Sequence, residues 1–394
     1  MNELIIDNFT KNEEEFQQFQ YLLRFLNNNI ISCKIDHDKI KIDHTEKITI
    51  HLEKLVQKLT KRISGGRNLP FKSQIIHEHS VQPPYVNDIF TQLIDQNIIV
   101  KNHEGIFTFR PPFSDLILFL DQLIVDYVAK PLGAVNEYYP TLISMDTLNK
   151  TNHFTSFPHH VLFTQHLEEE LTNIDLFTEN VRANDGLNAD MIKPNDVRTT
   201  SLVKNPAVCY HCYQSLENKE VPNEGSTITS VGRCSRYESN NHSDFGRLLD
   251  FSMREIIFIG SDEYVKSMRE KSIILLKEFL NLWKIDSFLE NANDPFFTND
   301  YKVKSFFQRD LDMKYELKFK IPYLNSSISV SSSNYHGNVF GQAFSIKNNN
   351  EFASTSCMAF GLERWIFAFL AQYGLDTQLW PEKIKELFSM YLKR

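Results

Sequence analysis

The chain has 394 residues, more than one hydrophobic core usually organises, and this length favours two or three domains. Hydrophobic residues make up 42% and charged residues 23%, a composition typical of a globular enzyme. No run of about 18 apolar residues predicts a membrane span, and the N-terminus lacks the features of a signal peptide, so we expect a cytoplasmic protein with no membrane partner. The net charge of -8 argues against a protein that binds duplex nucleic acid, which needs a concentrated basic face.

The cysteine content argues against a disulfide framework. Five cysteines are an odd number in a long chain that shows no export signal. Reduced thiols or metal ligands are the better interpretation. The five are Cys33, Cys209, Cys212, Cys234 and Cys357.

Residues 1–100 differ in pattern from the rest and predict a small, mainly helical accessory domain. Apolar residues recur at helical spacing over Glu13–Leu26 and Ile48–Ile63. A third helix is predicted over Tyr85–Gln96, followed by a small hairpin over Ile98–Phe109. Helices followed by such a hairpin suit a winged-helix-like module, and an accessory domain of another kind is the favoured alternative.

Residues 101–394 have an α+β pattern and predict one catalytic domain. Pro112–Ala129 is expected to form a long buried helix and Tyr138–Ile143 a strand. The polar segment Asn173–Asn195 is expected to be a loop. Strands are expected to dominate from Thr199 to Ile259 and from Tyr315 to Cys357.

Two strands joined by an Asn-rich hairpin loop contain the first group of candidate site residues. The strands are predicted over Ser230–Glu238 and Leu249–Ile259. Arg236 and Glu238 lie two residues apart on one strand, so they share a face and together could contact an anion and an amine or base edge. Taken alone, Arg236 is more often part of a surface ion pair.

The C-terminal segment 351–370 contains the second group. An apolar strand reaches Cys357, Gly361 forms a turn, and Arg364 lies in the first turn of an apolar helix. A buried Arg at such a junction needs an anionic partner, because an unpaired buried charge costs several kcal/mol. A polyphosphate and an internal carboxylate are equally good candidates for that partner.

These segments resemble motifs 2 and 3 of class II aminoacyl-tRNA synthetases, over roughly residues 105–394. They are most similar to the amino acid:[carrier protein] ligases, seryl-tRNA-synthetase-like enzymes that lack the tRNA-binding arm. The resemblance implies a six- or seven-stranded antiparallel sheet flanked by helices, in a homodimer formed through a degenerate motif 1 at Tyr138–Phe163. The segments that carry it are CYHCYQSL (209–216), FSMREIIFIGS (251–261), KYELKFKIPY (314–323), SNYHGNVFG (333–341) and TSCMAFGLERW (355–365).

The resemblance also implies roles in ATP binding. Arg236 would hold the α-phosphate, and Glu238 would contact the adenine amino edge. Phe251 would stack on adenine, while Arg364 would cover the opposite face of the base and reach the γ-phosphate. Arg247, in the loop between the strands, would be a second phosphate contact. The two residues expected to be catalytic are Arg236 and Arg364.

The same resemblance implies a Zn²⁺ site made of Cys209, Glu255 and Cys357. Three protein ligands leave a fourth position open for substrate, and an amine there must be unprotonated. By residue type alone the site would be weakly supported. Cys212, on a strand, would face away from Cys209, and Cys234 shares the face of Arg236 where the family pattern places no ligand.

The implied reaction converts a small amino acid, glycine or alanine by preference, and ATP into an aminoacyl adenylate. The acyl group would then pass to the phosphopantetheine thiol of a holo carrier protein. Mg²⁺ would accompany ATP, but the serine-rich strand at 325–334 has no carboxylate, and Glu316 is the nearest acid. The alternatives are a seryl-type tRNA synthetase and an inactive paralogue that serves as a binding subunit. Breaks at Gly65-Gly66 and Pro83-Pro84 make a long tRNA-binding arm, and hence tRNA, unexpected.

Acidic carrier proteins would require a local basic surface. We expect it on the helix after motif 2, over Asp262–Leu289, where the wet face includes Lys266, Arg269 and Lys277. The basic face of the second N-terminal helix is the alternative, and a merely solvated helix face is equally compatible with the sequence. That alternative face comprises Lys54, Lys58, Lys61 and Arg62.

Overall fold

A computed structural model describes residues 2–10, 13–23, 26, 30–36, 38–45, 49–64, 74–237, 245–292 and 313–393. Among these residues, no helix is both long enough and apolar enough to cross a membrane.

The described residues form eighteen strands and twelve α-helices, with short 3₁₀ and π segments between them. The strands are β1 Asn2–Asp7, β2 Ile30–Asp36, β3 Lys39–His44, β4 Ile75–His79, β5 Ile99–His103, β6 Ile106–Phe109, β7 Val135–Asn136, β8 Leu142–Ser144, β9 Phe163–Leu167, β10 Val197–Lys204, β11 Ser226–Ser235, β12 Asp250–Gly260, β13 Ser287–Asn291, β14 Lys314–Ile321, β15 Ser326–Gly337, β16 Lys347–Asn348, β17 Glu351–Phe352 and β18 Ser354–Gly361. The helices are α1 Glu13–Leu23, α2 Thr49–Ser64, α3 Ile89–Asp95, α4 Phe113–Ile124, α5 Met145–Lys150, α6 His153–Ser156, α7 Leu171–Ala183, α8 Cys209–Ser215, α9 Asp262–Trp283, α10 Val339–Ala343, α11 Leu362–Tyr373 and α12 Glu382–Tyr391.

The N-terminal residues form a small unit with its own core. β1, β3 and β2 make a three-stranded antiparallel sheet, and apolar residues of α1 and α2 pack with it. Both helices were predicted, but the strands were not. The hairpin that we predicted as part of a winged-helix-like module packs through Phe107 with Phe245 and the main core. Ile89 and Ile99 are also buried in that main core, so we propose a boundary before residue 75 in place of residue 100.

The main sheet has eight strands in the order β4-β13-β14-β15-β18-β12-β11-β7. All described neighbours are antiparallel except β11 and β7, which run parallel over two residues. The expected count of six or seven was therefore too low. The sheet gains β4 at one edge, from a segment that we had assigned to the accessory domain, and the very short β7 at the other.

The two faces of this sheet have different neighbours. Successive side chains of a strand point to opposite faces. On β12, Ile256 and Phe258 belong to the large core together with buried residues of α4, α9 and α11. On the same strand, Ile257 belongs to a separate cluster that contains residues of α8 and α10. One face therefore anchors the sheet to helices, and the other is available for a site.

Two local predictions were wrong. The segment 173–195 contains most of helix α7. Its largely polar composition indicated a loop, although Leu171, Ile174, Phe177 and Val181 recur at helical spacing. The strand expected at Tyr138–Ile143 is β8, which begins only at Leu142, because residues 137–140 are irregular. Pro112–Ala129 is helical as predicted, with a π-helical turn over Val125–Ala129.

A buried ion pair that we did not predict joins the sheet to α4. Arg254 of β12 is 3% exposed and forms a two-point ion pair with Asp121, in which the Nη2–Oδ2 distance is 2.8 Å. The Arg254 guanidinium also donates to Thr229 Oγ1 at 3.1 Å. Bidentate geometry and an additional hydrogen bond are what a buried pair needs to offset the cost of desolvation.

Replacing Asp121 with Asn should lower the free energy of unfolding by about 3 kcal/mol, because it leaves the buried Arg254 charge without its counter-ion. The shift in the midpoint of urea unfolding would measure the loss. The matched control is Glu386→Ala, which breaks the exposed Lys383–Glu386 pair and should cost less than about 1 kcal/mol. Equal effects of the two substitutions would contradict a structural role for the buried pair.

Candidate metal and nucleotide site

The register of the sheet brings Glu255 and Cys357 to one face. Glu255 of β12 is opposite Ala359 of β18, and Ile257 is opposite Cys357. Because Glu255 and Ile257 share a face, the carboxyl group and the thiol are diagonal neighbours across the strand pair. Both side chains are buried, at 2% and 3% exposure.

The third member of the group comes from helix α8, which packs against this face. Cys209 is the first residue of that helix and is 5% exposed. We had treated the segment as a strand when we judged Cys212, so that argument was wrong. On a helix, residues three apart lie on the same side, and Cys212 is also buried against the sheet, where its thiol contacts Tyr139.

Cys209, Glu255 and Cys357 meet in space. One ligand atom from each lies within 4.8 Å of the others, and among the residues that the structure describes these three form the only such group of His, Cys, Asp or Glu side chains. The Oε2 atom of Glu255 is buried and has no hydrogen-bond partner among the residues that the structure describes. Two thiols and a carboxyl group that lie this close together, with one carboxyl oxygen not used in a hydrogen bond, are a donor set that suits Zn²⁺.

The acidities of the three groups reflect this crowding. Burial, reinforced by the neighbouring Cys357 thiolate, raises the pKa of Glu255. The hydrogen bond between the two cysteines raises the pKa of Cys209 and lowers that of Cys357. Without a cation the group therefore cannot carry three negative charges, because like charges in a buried site disfavour one another.

Side chains that the sequence analysis did not assign surround the group. Asn334 of β15 lies opposite Cys357, and its Nδ2 donates to the cysteine sulfur at 3.5 Å. A hydrogen bond from His336 also helps to lower the pKa of Cys357. Tyr213 lies one helical turn after Cys209 and is fully buried, and within the described part of the chain its hydroxyl has no hydrogen-bond partner. The sequence did not reveal that Asn334 lies beside Cys357, because the register between two strands cannot be read from one strand alone.

Arg236 lies immediately beyond the end of β11, which stops at Ser235 and not at Glu238 as predicted. Its Nε donates to the carbonyl oxygen of Pro206 at 2.9 Å, and its guanidinium carbon lies 5.5 Å from the ring centroid of Phe251. The structure therefore brings Arg236 and Phe251 together. Glu238 lies outside the described residues, and Arg247 lies in the described segment just before β12.

Arg364 lies in the first turn of α11, which begins at Leu362 directly after β18 ends at Gly361. Its Nη1 donates to the carbonyl oxygen of Ser329 at 3.4 Å. The preceding Glu363 is buried and accepts the backbone N–H of Ser252 at 2.8 and 2.9 Å, and burial raises its pKa. Arg233 also donates to this carboxyl group at 3.1 Å. Glu363 thus fixes the start of β12 beside Phe251.

The basic residues of α9 are placed differently from our expectation. Lys266 pairs with Asp262 at 2.7 Å, and Arg269 lies over the ring of Tyr315 at 4.4 Å. The apolar side of α9 packs on the helical face of the sheet, opposite the Cys209–Glu255–Cys357 group. We therefore no longer favour this helix as a surface for docking a carrier protein near the site.

Comparisons with known proteins give two kinds of sequence relative, although no family profile matches the chain. A type-2 serine–tRNA ligase of Methanothermobacter thermautotrophicus is 26% identical over 72% of this chain and 56% of its own length. Amino acid–[acyl-carrier-protein] ligase 2 of Bradyrhizobium diazoefficiens is 29% identical over 64% of this chain and 74% of its own. Ligase 1 of the same organism is 26% identical over 78% and 92%.

Solved structures show the fold. The M. kandleri seryl-tRNA synthetase, crystallised with A. aeolicus tRNASec, matches with a TM-score of 0.74 at 18% identity, over 99% of this chain and 78% of its own. The cytoplasmic serine–tRNA ligase of Naegleria fowleri, in complex with AMP, matches with a TM-score of 0.61 at 12% identity, over 88% and 81%. The predicted class II synthetase fold, an antiparallel sheet flanked by helices, is thereby confirmed.

This chain spans little more than half the length of the type-2 serine–tRNA ligases that it matches, 55–56%. The first match to a solved structure includes nearly the whole chain, and hence the N-terminal unit. The sequence relatives and the fold of the solved structures both confirm the resemblance noted in the sequence. The chain has the class II synthetase fold of the seryl type, and its sequence is similar both to type-2 serine–tRNA ligases and to amino acid–[acyl-carrier-protein] ligases.

Proposed function

We propose that the protein is an adenylate-forming ligase that activates a small amino acid with ATP and transfers it to the phosphopantetheine thiol of a carrier protein. One observation supports this above the others. The Cys209–Glu255–Cys357 group and Arg236 are close enough for the arginine charge to act on the Glu255 carboxyl, where it partly opposes the rise in pKa. A site for an amino group therefore adjoins a site for a phosphate.

Zn²⁺ would be held by Cys209, Glu255 and Cys357. When bound, it would supply a Lewis acid with an open position for the unprotonated α-amino group of the substrate. The protein residues orient what binds there. The Asn334 amide, which donates to the sulfur of Cys357, fixes one ligand in place in the way that outer hydrogen bonds usually do.

The nucleotide would bind around Arg236, Phe251 and Arg364. Arg236 would stabilise the charge that develops on the α-phosphate as the carboxylate attacks, and Phe251 would stack on the base. Arg364 would cover the other face of the base and reach the γ-phosphate, with Arg247 as a second phosphate contact and Glu238 at the adenine edge. Such a reaction needs positioning and charge neutralisation more than covalent help.

Mg²⁺ would bind with the triphosphate. Glu316, the nearest acid to the serine-rich strand, is engaged by Lys314 at 3.0 Å. We therefore assign no protein ligand to Mg²⁺. We further propose a cytoplasmic homodimer formed through the segment 138–163.

The acceptor and the amino acid are the finer parts of the proposal. A carrier protein as acceptor is favoured by the two amino acid–[acyl-carrier-protein] ligases, one of which is matched over 92% of its length. Glycine or alanine is favoured by the resemblance of the motifs. The second candidate is a seryl-type tRNA synthetase, because the likeness to a tRNA-bound seryl-tRNA synthetase extends over 99% of this chain.

The purified protein should contain about one Zn²⁺ per chain, since the three buried ligands favour a catalytic type of zinc site. Elemental analysis should show that Cys209→Ser and Cys357→Ser lower the zinc content. The matched controls are Cys212→Ser and Cys234→Ser, which alter buried cysteines outside the group and should retain zinc. Full zinc content after both ligand substitutions together, or equal loss in the controls, would refute the assignment.

Arg236→Ala and Arg364→Ala should each reduce amino-acid-dependent exchange of labelled pyrophosphate into ATP by about a hundredfold or more, because each removes transition-state charge stabilisation. The control is Arg198→Ala, which removes an arginine that is paired with Glu168 on the surface. Zinc content should be unchanged in all three variants. Near-normal exchange in either test variant would show that its assigned role is wrong.

The acceptor is tested by offering the full-length enzyme, ATP and all twenty amino acids to a holo carrier protein and, separately, to tRNA. Mass spectrometry should find the holo carrier protein loaded with glycine or alanine through its thiol, and the apo carrier protein unloaded. Charging of tRNA with serine, without any loading of the carrier, would establish the second candidate instead.

A further inference from the structure

Three histidines lie close together on the segment that approaches the nucleotide site. His153 begins α6, and His159 and His160 close the short turn after it. The ring centroids of His159 and His160 are 4.1 Å apart, and those of His153 and His160 are 6.4 Å apart. His153 and His160 are buried, and His159 is half-buried.

This histidine cluster adjoins Arg236. The carbonyl oxygen of His160 accepts the backbone N–H of Tyr237, the residue after Arg236, at 3.0 Å. The positive charge of Arg236 contributes to lowering the pKa of both buried histidines, and Arg247 contributes at His160. Five side chains that are, or can become, cationic therefore converge where we place the phosphates of ATP.

His153 provides a second, independent sign of a ligand. Its Nδ1 lies 3.3 Å from the hydroxyl of Tyr210, the residue after Cys209. The residue is only 4% exposed, and its Nε2 is buried and has no hydrogen-bond partner among the described residues. A buried polar atom without a partner costs free energy, and such atoms often mark a place that a ligand fills.

We infer that His153, His159 and His160 form an additional binding element for the phosphates of ATP or pyrophosphate beside Arg236. The inference rests on the proposed function for the location of the phosphates. An imidazolium and a neutral imidazole N–H both donate hydrogen bonds to phosphate oxygens, and those from the charged form are about twice as strong.

The two buried histidines act as neutral donors. In the free protein, burial, together with Arg236 and His159, lowers the pKa of His153 to about 3. Burial also lowers the pKa of His160, with contributions from Arg236, His159, His153 and Arg247. Both rings are therefore neutral near pH 7, and each can offer an N–H to a phosphate oxygen.

Isothermal titration calorimetry with the full-length, zinc-loaded protein tests this inference. Pyrophosphate and a non-hydrolysable ATP analogue are titrated at pH 7. His153→Asn and His160→Asn should each weaken binding about tenfold, the effect of losing one charge-assisted hydrogen bond. The matched control is His166→Asn, an exposed histidine of β9, which should leave the affinity unchanged.

Normal affinity in the folded variants would overturn the inference. If either buried substitution abolishes zinc content or near-UV circular dichroism, His159→Asn replaces it, because that ring is half-buried and the same loss of affinity is expected. Pyrophosphate exchange separates the two proposals. If the unsubstituted protein catalyses exchange and the histidine variants bind phosphate normally, the proposed function stands and the histidine inference fails. Phosphate binding that the histidine substitutions weaken, without any exchange in the unsubstituted protein, supports the histidine cluster and overturns the function.

Discussion

Two thiols and one carboxyl group lie buried within 4.8 Å of one another, and this group constrains the structure around it. When all three groups are ionised, they repel one another at low dielectric constant. When they are protonated, one oxygen of Glu255 still has no hydrogen-bond partner among the described residues. A divalent cation removes both costs. The sheet brings Glu255 and Cys357 close together by placing them diagonally on adjacent strands, and α8, which packs on the same face, contributes Cys209.

Strand β12 combines two tasks through simple alternation. Arg254 points to the helical face, where Asp121 of α4 and Thr229 neutralise and hold it. The next residue, Glu255, points to the opposite face and joins the two cysteines. The anchor and the ligand are thus adjacent on one backbone, so the buried ion pair that fixes the strand also fixes the position of the carboxyl group.

The sequence predicted much of this arrangement because strong periodic patterns determine local structure. The long helix at Phe113–Ile124 and the strands of the candidate site were found within a few residues. Helix α7 was missed because its largely polar composition outweighed the weak apolar spacing of Leu171, Ile174, Phe177 and Val181, and none of its residues is buried. Strand β4 was missed because its pairing with β13 joins residues about two hundred positions apart, and nothing local signals such a partner.

The candidate site shows the same limit. Cys209, Glu255 and Cys357 were identified through a resemblance of motifs, not through spacing, and the structure brings them together as that resemblance implied. Asn334 could not be predicted, because only the pairing of β15 with β18 reveals that it lies opposite Cys357. The histidines before Arg236 were likewise invisible, since they approach it through a turn and not through a repeated pattern.

X-ray absorption spectroscopy of the zinc-loaded protein tests the central claim most directly, because it counts the ligands with and without substrate. We predict two sulfur ligands at about 2.3 Å with lighter atoms completing the shell, and a change in the light-atom shell when the amino acid that supports exchange is added. The amino acid should leave the sulfur count at two. A shell of four sulfurs, or a spectrum that no amino acid alters, would contradict a zinc site that binds the substrate amine.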